Sequence, residues 1–401
     1  MSGGPEGRVL VLNAGSSSLK YSLVDSASGA ALGSGLVERI GEAEGSLHHT
    51  SGSSSHDEDR RIESHEDALR LALEAFDEHG PSLDDARLTA VGHRVVHGGD
   101  RFSAPALVDD DLLSTVEQLV PLAPLHNKAN LEGMRVALRL FPDVPHVAVF
   151  DTAFHQTLPP HAYTYAVPRA WAEEHHIRRY GFHGTSVSFV AGEAARLLGR
   201  DVEECRFVVL HLGNGASATA VDGGRSVETS MGFTPLEGLV MGTRSGDVDP
   251  ALPGHLNRHL GWDVIDVDRA LNRDSGLKGL AGSNDFRELL AKKHTGDEDA
   301  ALAFDVYCHR LRKYVGAYYA VLGTVDAVVF TGGVGEKSHH VRAAALAGLG
   351  RLGIEVDEEL NSASGSDARD VATTDADVRV LVVPTNEEWE IARQATELVS
   401  R

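Results

Sequence analysis

Four residues stand where a chemical role competes with a structural one, and two of them, Arg94 and Arg244, are cations that suit an anionic ligand. Arg94 interrupts the apolar, strand-like residues 90–96. An unpaired charge inside such a strand is costly, so it has either a buried carboxylate partner or an anionic ligand. Asp151 follows the apolar residues 144–150. The carboxyl ends of strands are where open α/β sheets bind ligands, although aspartate also caps turns and helices there. His183 lies in YGFHGTS, where the flanking glycines let the backbone expose an imidazole, and Arg244 centres the small-residue turn MGTRSGD. A guanidinium placed there can form two parallel hydrogen bonds to a phosphate or carboxylate.

Three glycine turns could hold the phosphate that such groups would act on. Residues 8–25, RVLVLNAGSSSLKYSLVD, read as a buried strand, a polar turn and a half-exposed alternating strand, which is a β-hairpin. Its turn of small residues lets backbone N–H groups approach an anion, with Lys20 and the serine hydroxyls beside them. Residues 206–222, RFVVLHLGNGASATAVD, repeat the plan 198 positions later, with Val11 and Val209, Leu12 and Leu210, and Gly15 and Gly213 in register and His211 where Asn13 stands. A second echo links residues 147–152 with 327–332, displaced by 180. The third turn, TGGVGEKS at 331–338, joins a strand to a helix and is a ready anion site. It fails the Walker A pattern because Glu336 stands where that motif has glycine, which argues against a P-loop ATPase.

The elements that must position these groups indicate an α/β chain with two similar halves and a ligand cleft between them, not a solenoid of short repeats. At 401 residues and 42% apolar content the chain suffices for two domains with sizeable cores. A net charge of −22 excludes the basic footprint that nucleic acid or an anionic membrane requires. Cys205 and Cys308, the two cysteines, give no disulfide framework and point to a reducing compartment. The N-terminal MSGGPEGR lacks an apolar leader core, and no run approaches the roughly 18 residues of a membrane span, so the cytoplasm is expected. Residues 41–60, rich in Ser, Gly, His and acids, read as an exposed hairpin tip or flexible loop. His48, His49, His56 and Asp57 there match no zinc spacing. Helices are expected from Ser64 to about Gly80, over 109–119, 129–141, 187–198 and 299–322, and after Glu388 to the end, with a proline-stiffened loop at 121–127.

Phosphate loops in both halves and a glycine turn before a late helix resemble phosphotransferases of the actin, sugar kinase and Hsp70 type. The resemblance becomes specific in an ordered set of strings: LNAGSSSLKYS, GHRVVHGG, PLHN, FDTAFH, YGFHGTS, HLGNGAS, TPLEGLVMGTRSGDVDP, NDFR, FTGGVGE and PTNEE. These span essentially the whole chain and resemble the acetokinase family. The resemblance implies duplicated actin-like (ribonuclease H-like) domains, residues 1–151 with 387–401 on the acyl and Mg²⁺ side and 152–386 on the nucleotide side. It implies Mg²⁺-dependent, reversible transfer of the ATP γ-phosphoryl group to acetate by a homodimer. Relatives acting on propionate or butyrate, and a non-metabolic actin-like ATP switch, are the alternatives. Residue by residue, it implies Asn13 and Glu387 at magnesium, Lys20 on nucleotide phosphate, Arg94 on the acyl carboxylate, Asp151 as acid/base, and His183 and Arg244 as transition-state stabilisers. It places Val96, Leu125, Phe182 and Pro235 around the methyl group. The nucleotide would contact His211, Leu212, Gly213, Asn214 and Gly215, then Asp285, Phe286 and Arg287, then Gly333, Val334, Gly335, Glu336 and Lys337. Two positions depart from the family pattern: Lys337 stands where asparagine is usual, and Lys128 replaces the proline after PLHN. Acetate arrives already ionised near neutral pH, so Asp151 has no substrate proton to remove, and orienting Arg94 or a metal-bound water is the more economical role.

Overall fold

The computed structural model describes residues 7–401; the N-terminal stretch read above for a leader core lies largely outside the described residues. The chain forms two compact units. The first comprises the described residues up to Phe154 together with Asn386–Arg401, and the second comprises His155–Thr385.

The first unit begins with the expected hairpin, β1 (Arg8–Ala14) and β2 (Ser18–Asp25), with Leu12 opposite Tyr21 and Ala14 opposite Leu19. It continues through β3 (Ala31–Glu38), β4 (Gly45–Ser51), β5 (Ser54–Arg60), α1 (His65–His79), β6 (Leu88–Val95), β7 (Ala106–Leu107), α2 (Pro124–Leu140) and β8 (His146–Phe150). Ser64 caps α1 by accepting the Asp67 N–H, as the sequence spacing indicates. The sheet order is β5-β4-β3-β2-β1-β6-β8-β7.

In the second unit, after short helical segments, α3 (Gly184–Leu198) precedes a second hairpin, β9 (Arg206–Leu212) and β10 (Ala216–Asp222), followed by β11 (Arg225–Thr229). Next come α4 (Leu252–Leu260), α5 (Val264–Arg273), α6 (Phe286–His294), α7 (Glu298–Leu322), β12 (Ala327–Thr331), α8 (Gly332–Lys337), α9 (His339–Leu346), β13 (Arg369–Asp370) and β14 (Arg379–Val382). Its sheet order is β11-β10-β9-β12-β14-β13, and the chain then returns to the first unit as α10 (Glu387–Val399).

The core of each sheet has one topology. In the series β3-β2-β1-β6-β8 the first two pairings are antiparallel and the last two parallel, and β11-β10-β9-β12-β14 repeats this pairing for pairing. This is the duplicated, actin-like α/β arrangement, and it bears out the hairpin repeat. The second echo does not hold as an equivalence. β12 neighbours β9 as β6 neighbours β1, so the counterpart of β8 is β14. Residues 147–152 and 327–332 look alike because central parallel strands, buried on both faces, converge on similar Val/Ala/Phe runs wherever they sit.

Two further expectations are refined. Residues 41–60 form a hairpin, one of the two alternatives, but as the paired strands β4 and β5 and not as a tip or flexible loop. Leu47 and His49 of β4 turn inward, His49 Nδ1 lying 2.8 Å from the Tyr21 hydroxyl, while β5 is an all-polar edge whose charges hide the strand signal. The 121–127 loop is shorter than expected because Pro124 starts α2, its fixed φ suiting a first helical position.

Side-chain alternation sorts the first sheet's faces. Leu10, Leu12, Leu19, Tyr21 and Leu23 pack on the α1 and α2 side. Val9, Val11, Val24, Ala90, Val147 and Val149 face Ile391, Ala392 and Ala395 of α10. By the same period of two, Asn13, Arg94 and Asp151 fall on the α10 side, at the C-terminal ends of β1, β6 and β8.

Candidate active site

In the first unit the site is built around Arg94. Its Nη2 donates to Asp151 Oδ2 at 3.0 Å and its Nε lies 3.6 Å from Glu387 Oε2. Asp151 is 1% exposed at its side chain and Arg94 18%, so removing one partner strands a buried charge, at a typical cost of about 3–5 kcal/mol. Burial alone would lower the Arg94 pKa, but the carboxylates of Asp151 and Glu387 outweigh it and raise it. Burial pushes the Glu387 carboxyl up to about 6 against the pull of Arg94, with Asp151 and Glu388 adding to the rise. Glu387 opens α10, where Asn386 caps the Trp389 N–H. Lys20 pairs with Glu388. Asn13, Lys20, Arg94, Glu387 and Glu388 line one small cavity.

α2 fixes the backbone around this cluster. Asn130 donates to the Ala14 carbonyl at 2.7 Å and accepts the Val96 N–H at 3.0 Å, and Asn127 exchanges both hydrogen bonds with His97. His65 Nε2 reaches the Gly15 carbonyl at 2.7 Å. Asn130 of α2 thereby ties the first hairpin turn to the end of β6, and His65 of α1 holds the turn from the other helix. Val96 is buried in this unit, and Leu125 lies exposed on the first turn of α2.

In the second unit, His183, Arg244 and the β9–β10 turn converge. His183 precedes α3 with φ +61°, a left-handed backbone uncommon outside glycine. A β-carbon on Gly215 would stand 3.3 Å from Arg244 Nη1 and 3.4 Å from His183 Nε2, so both nitrogens look onto the same turn. Arg244 Nη1 donates to the Pro235 carbonyl at 3.2 Å, and burial lowers its pKa. The Arg244 turn is braced by Asp247, which accepts the Gly238 N–H at 2.8 Å and the Tyr314 hydroxyl of α7 at 2.9 Å. Arg179 donates to the carbonyls of Thr229, Ser230 and Met231, holding the start of the segment that carries Pro235. Phe182 is buried, its carbonyl 3.1 Å from His155 Nε2.

His211 and Leu212 close β9, the Gly213 N–H bonds the Gly215 carbonyl at 2.9 Å, and the Asn214 side chain meets Asn284. Asp285 caps α6, its carboxylate gripped by Arg287 and held down to about 2. Phe286 follows it as the first residue of α6. Gly333, Val334, Gly335 and Lys337 belong to α8. Glu336 Oε1 accepts the N–H groups of Gly332 at 2.9 Å and Thr385 at 3.2 Å, so its carboxylate is committed to shaping that turn. The buried Arg342 guanidinium holds the Gly335 and Glu336 carbonyls, each at 2.9 Å.

The chain matches the model of the acetokinase family over residues 8–393. It belongs to that family. Among its acetokinase relatives, the acetate kinase of Leifsonia xyli subsp. xyli is 56% identical over 392 residues, covering 98% of this chain and 99% of that one. The acetate kinase of Clavibacter michiganensis subsp. michiganensis is 57% identical over 387 residues, covering 96% and 98%. Of solved structures, Porphyromonas gingivalis acetate kinase superposes with a TM-score of 0.94 at 39% identity, over 98% of this chain and 100% of that one. A propionate kinase from Francisella tularensis gives 0.92 at 39% identity, over 98% and 99%.

Several residues that touch or brace the expected site residues carry no individual expectation from sequence: Asn130, Ser186, Ser217, Thr385 and Glu388 contact them, and Asp247 braces the Arg244 turn through Gly238 and Tyr314. All but Asn130 lie inside strings quoted above, so the available signal was position within a motif. Asn130 follows PLHN by three residues, one helical turn on the same face of α2.

Proposed function

We propose that this protein is a Mg²⁺-dependent acetate kinase, transferring the ATP γ-phosphoryl group reversibly to acetate to give acetyl phosphate and ADP. The observation that carries the reading is 56% identity to acetate kinases over 98% of the chain, with every quoted motif in order. Both reactants are anions, so the work of the protein is to offset their repulsion and align them. Arg94 takes the acetate carboxylate, with Asp151 fixing the guanidinium's orientation. Val96, Leu125, Phe182 and Pro235 surround the methyl group. Arg244 and His183 donate to the phosphoryl oxygens as charge redistributes, and an arginine in that role is worth roughly 10³ to 10⁵ in rate in other phosphoryl-transfer systems. Lys20 and the turns at 211–215, 285–287 and 333–337 receive the nucleotide.

The donor set fits magnesium. Lys20 and Arg94 face three carboxylates, Asp151, Glu387 and Glu388, a local excess of negative charge and hard oxygen donors. Among the described residues no group of three or more His, Cys, Asp or Glu side chains is placed to hold a metal by itself. Mg²⁺ is commonly held by one or two carboxylates together with water and substrate phosphates. Asn13 and Glu387 would hold it here. When bound, it supplies charge neutralisation between phosphates.

We assign the working form as a homodimer. Val248, Leu260, Trp262, Val264 and Ile265 of the second unit are all exposed, and α4 buries none of its residues, an apolar face that a second copy would cover. Two buried free cysteines support the cytoplasm as its compartment. Among the described residues no helix is long and apolar enough to cross a membrane. The decisive experiment measures ADP release with acetate, propionate and butyrate in turn, with Mg²⁺ and with chelator. Acetate-dependent release that chelator abolishes and Mg²⁺ restores is expected. A higher kcat/KM with propionate or butyrate overturns the substrate assignment.

A further inference from the structure

The imidazoles of His183 and His211 stack with ring centroids 4.3 Å apart and planes 24° apart. The two rings come from different elements, yet their hydrogen bonds are arranged alike. His183 Nδ1 lies 2.9 Å from the hydroxyl of Ser217, which is fully buried in β10. His211 Nδ1 lies 2.8 Å from the hydroxyl of Ser186, fully buried in the first turn of α3. Each Nε2 is directed toward the glycine turn: His183 Nε2 stands 3.4 Å from a β-carbon placed on Gly215, and His211 Nε2 4.0 Å from one on Gly213.

We propose that Ser217 and Ser186 are positioning residues that fix the tautomers of His183 and His211, so that both imidazoles present an Nε2–H donor to the transferred phosphoryl group. The inference rests on the phosphotransferase reading above. Two imidazolium charges in stacking contact repel, which disfavours the doubly charged pair. A neutral imidazole has one N–H, and its position is set by the partner of the other nitrogen. Ser186 Oγ also lies 2.7 Å from Thr385 Oγ1. When the Thr385 hydroxyl donates to Ser186, the Ser186 proton goes to His211 Nδ1 and leaves His211 protonated at Nε2. Ser217 does the same for His183 directly. The opposite tautomers would aim two nitrogen lone pairs at an anion, which is repulsive. Thr385 is itself held through its N–H by Glu336, so the chain of contacts runs from the α8 turn to the imidazole pair.

Two-bond ¹H–¹⁵N correlation spectra of the full-length, ¹⁵N-histidine-labelled protein read tautomers directly. His183→Gln and His211→Gln, by the resonances each removes, assign the two rings among the 21 histidines. The expected result is Nε2–H with bare Nδ1 for both rings in the unliganded protein. A spectrum showing Nδ1–H for either ring overturns the proposal, and this reading needs neither serine variant to fold. Ser217→Ala should convert His183 to a mixture of tautomers and lower kcat about five- to tenfold, the worth of one ordinary hydrogen bond, with the ATP KM little changed. An unchanged His183 spectrum in that variant also overturns it. Failure of the function reading is separate, since it would appear as absent acetate-dependent ADP release beside the expected spectra.

Discussion

Acid should weaken the first unit through a single imidazole. His93 lies on β6, one residue before Arg94, 3% exposed and 2.9 Å from His146 Nδ1 through its Nε2. His146 Nε2 lies 3.1 Å from the Phe141 carbonyl, to which it must donate, so His146 Nδ1 is an acceptor and His93 Nε2 carries the proton. Burial, and secondarily the charge of His146, depress the His93 pKa from 6.5 to about 3. The sign follows directly. The unfolded chain takes up the proton first as pH falls through 6.5, so the folded state keeps its full stability above that value and loses it below. At about pH 5 the loss from His93 alone is roughly 2 kcal/mol, obtained as RT ln(1 + 10^(6.5 − 5)). His146, also shifted downward by burial, acts in the same direction. His93→Gln keeps a donor for His146 but cannot titrate. Urea unfolding followed by Trp389, which packs on the first unit's core, isolates that unit once Trp171 and Trp262 are changed to phenylalanine. Between about pH 7.5 and pH 5 the parent should lose about 2 kcal/mol more than the His93→Gln variant. Equal losses in the two proteins would refute the assignment of acid sensitivity to this imidazole.

Arg94→Ala should raise the acetate KM and lower kcat while leaving the ATP KM nearly unchanged, and an unaltered acetate KM removes Arg94 from the carboxylate site. Arg244→Ala should lower kcat by about 10³ or more with smaller effects on either KM, as judged by steady-state kinetics at saturating ATP. The role proposed for Asp151, orienting Arg94, predicts that Asp151→Asn depresses kcat evenly across the pH range; a titrating limb present in the parent and missing from the variant would establish base catalysis instead. Gly246→Ala should destabilise the second unit by about 1 kcal/mol or more, since this residue has φ +67° and an added β-carbon would meet the Leu239 carbonyl oxygen at 2.2 Å; a thermal midpoint equal to the parent's contradicts this.

The hairpins and long helices were legible because their apolar period and caps are local: Ser64 with Asp67 announces α1, and residues 206–222 restate 8–25. β4 and β5 were not, because an edge strand needs no apolar alternation on its outer side, and the ring that anchors β4, His49, finds its partner Tyr21 across two strands. Pairing of equivalent strands was misjudged at β8 and β12 for the converse reason, since a strand buried on both faces carries little information about its neighbours. At the site, Arg94 announced itself by being charged within an apolar strand, and its carboxylate partners Asp151 and Glu387 come from positions 57 and 293 residues further along the chain. Ser186 and Ser217 gave no such signal. A serine among glycines looks like turn chemistry until a ring nitrogen is seen beside it.

The return of the chain to its first unit has a consequence for biosynthesis. Val9, Val11, Val24, Ala90, Val147 and Val149 are covered by side chains of α10, which is translated last. On the ribosome that sheet face stays bare until the closing helix emerges, whereas residues 155–385 have by then been synthesised in full and hold their own core. The same final segment that seals this face delivers Glu387, so a prematurely terminated polypeptide lacks both the helix that covers the sheet and the carboxylate beside Arg94.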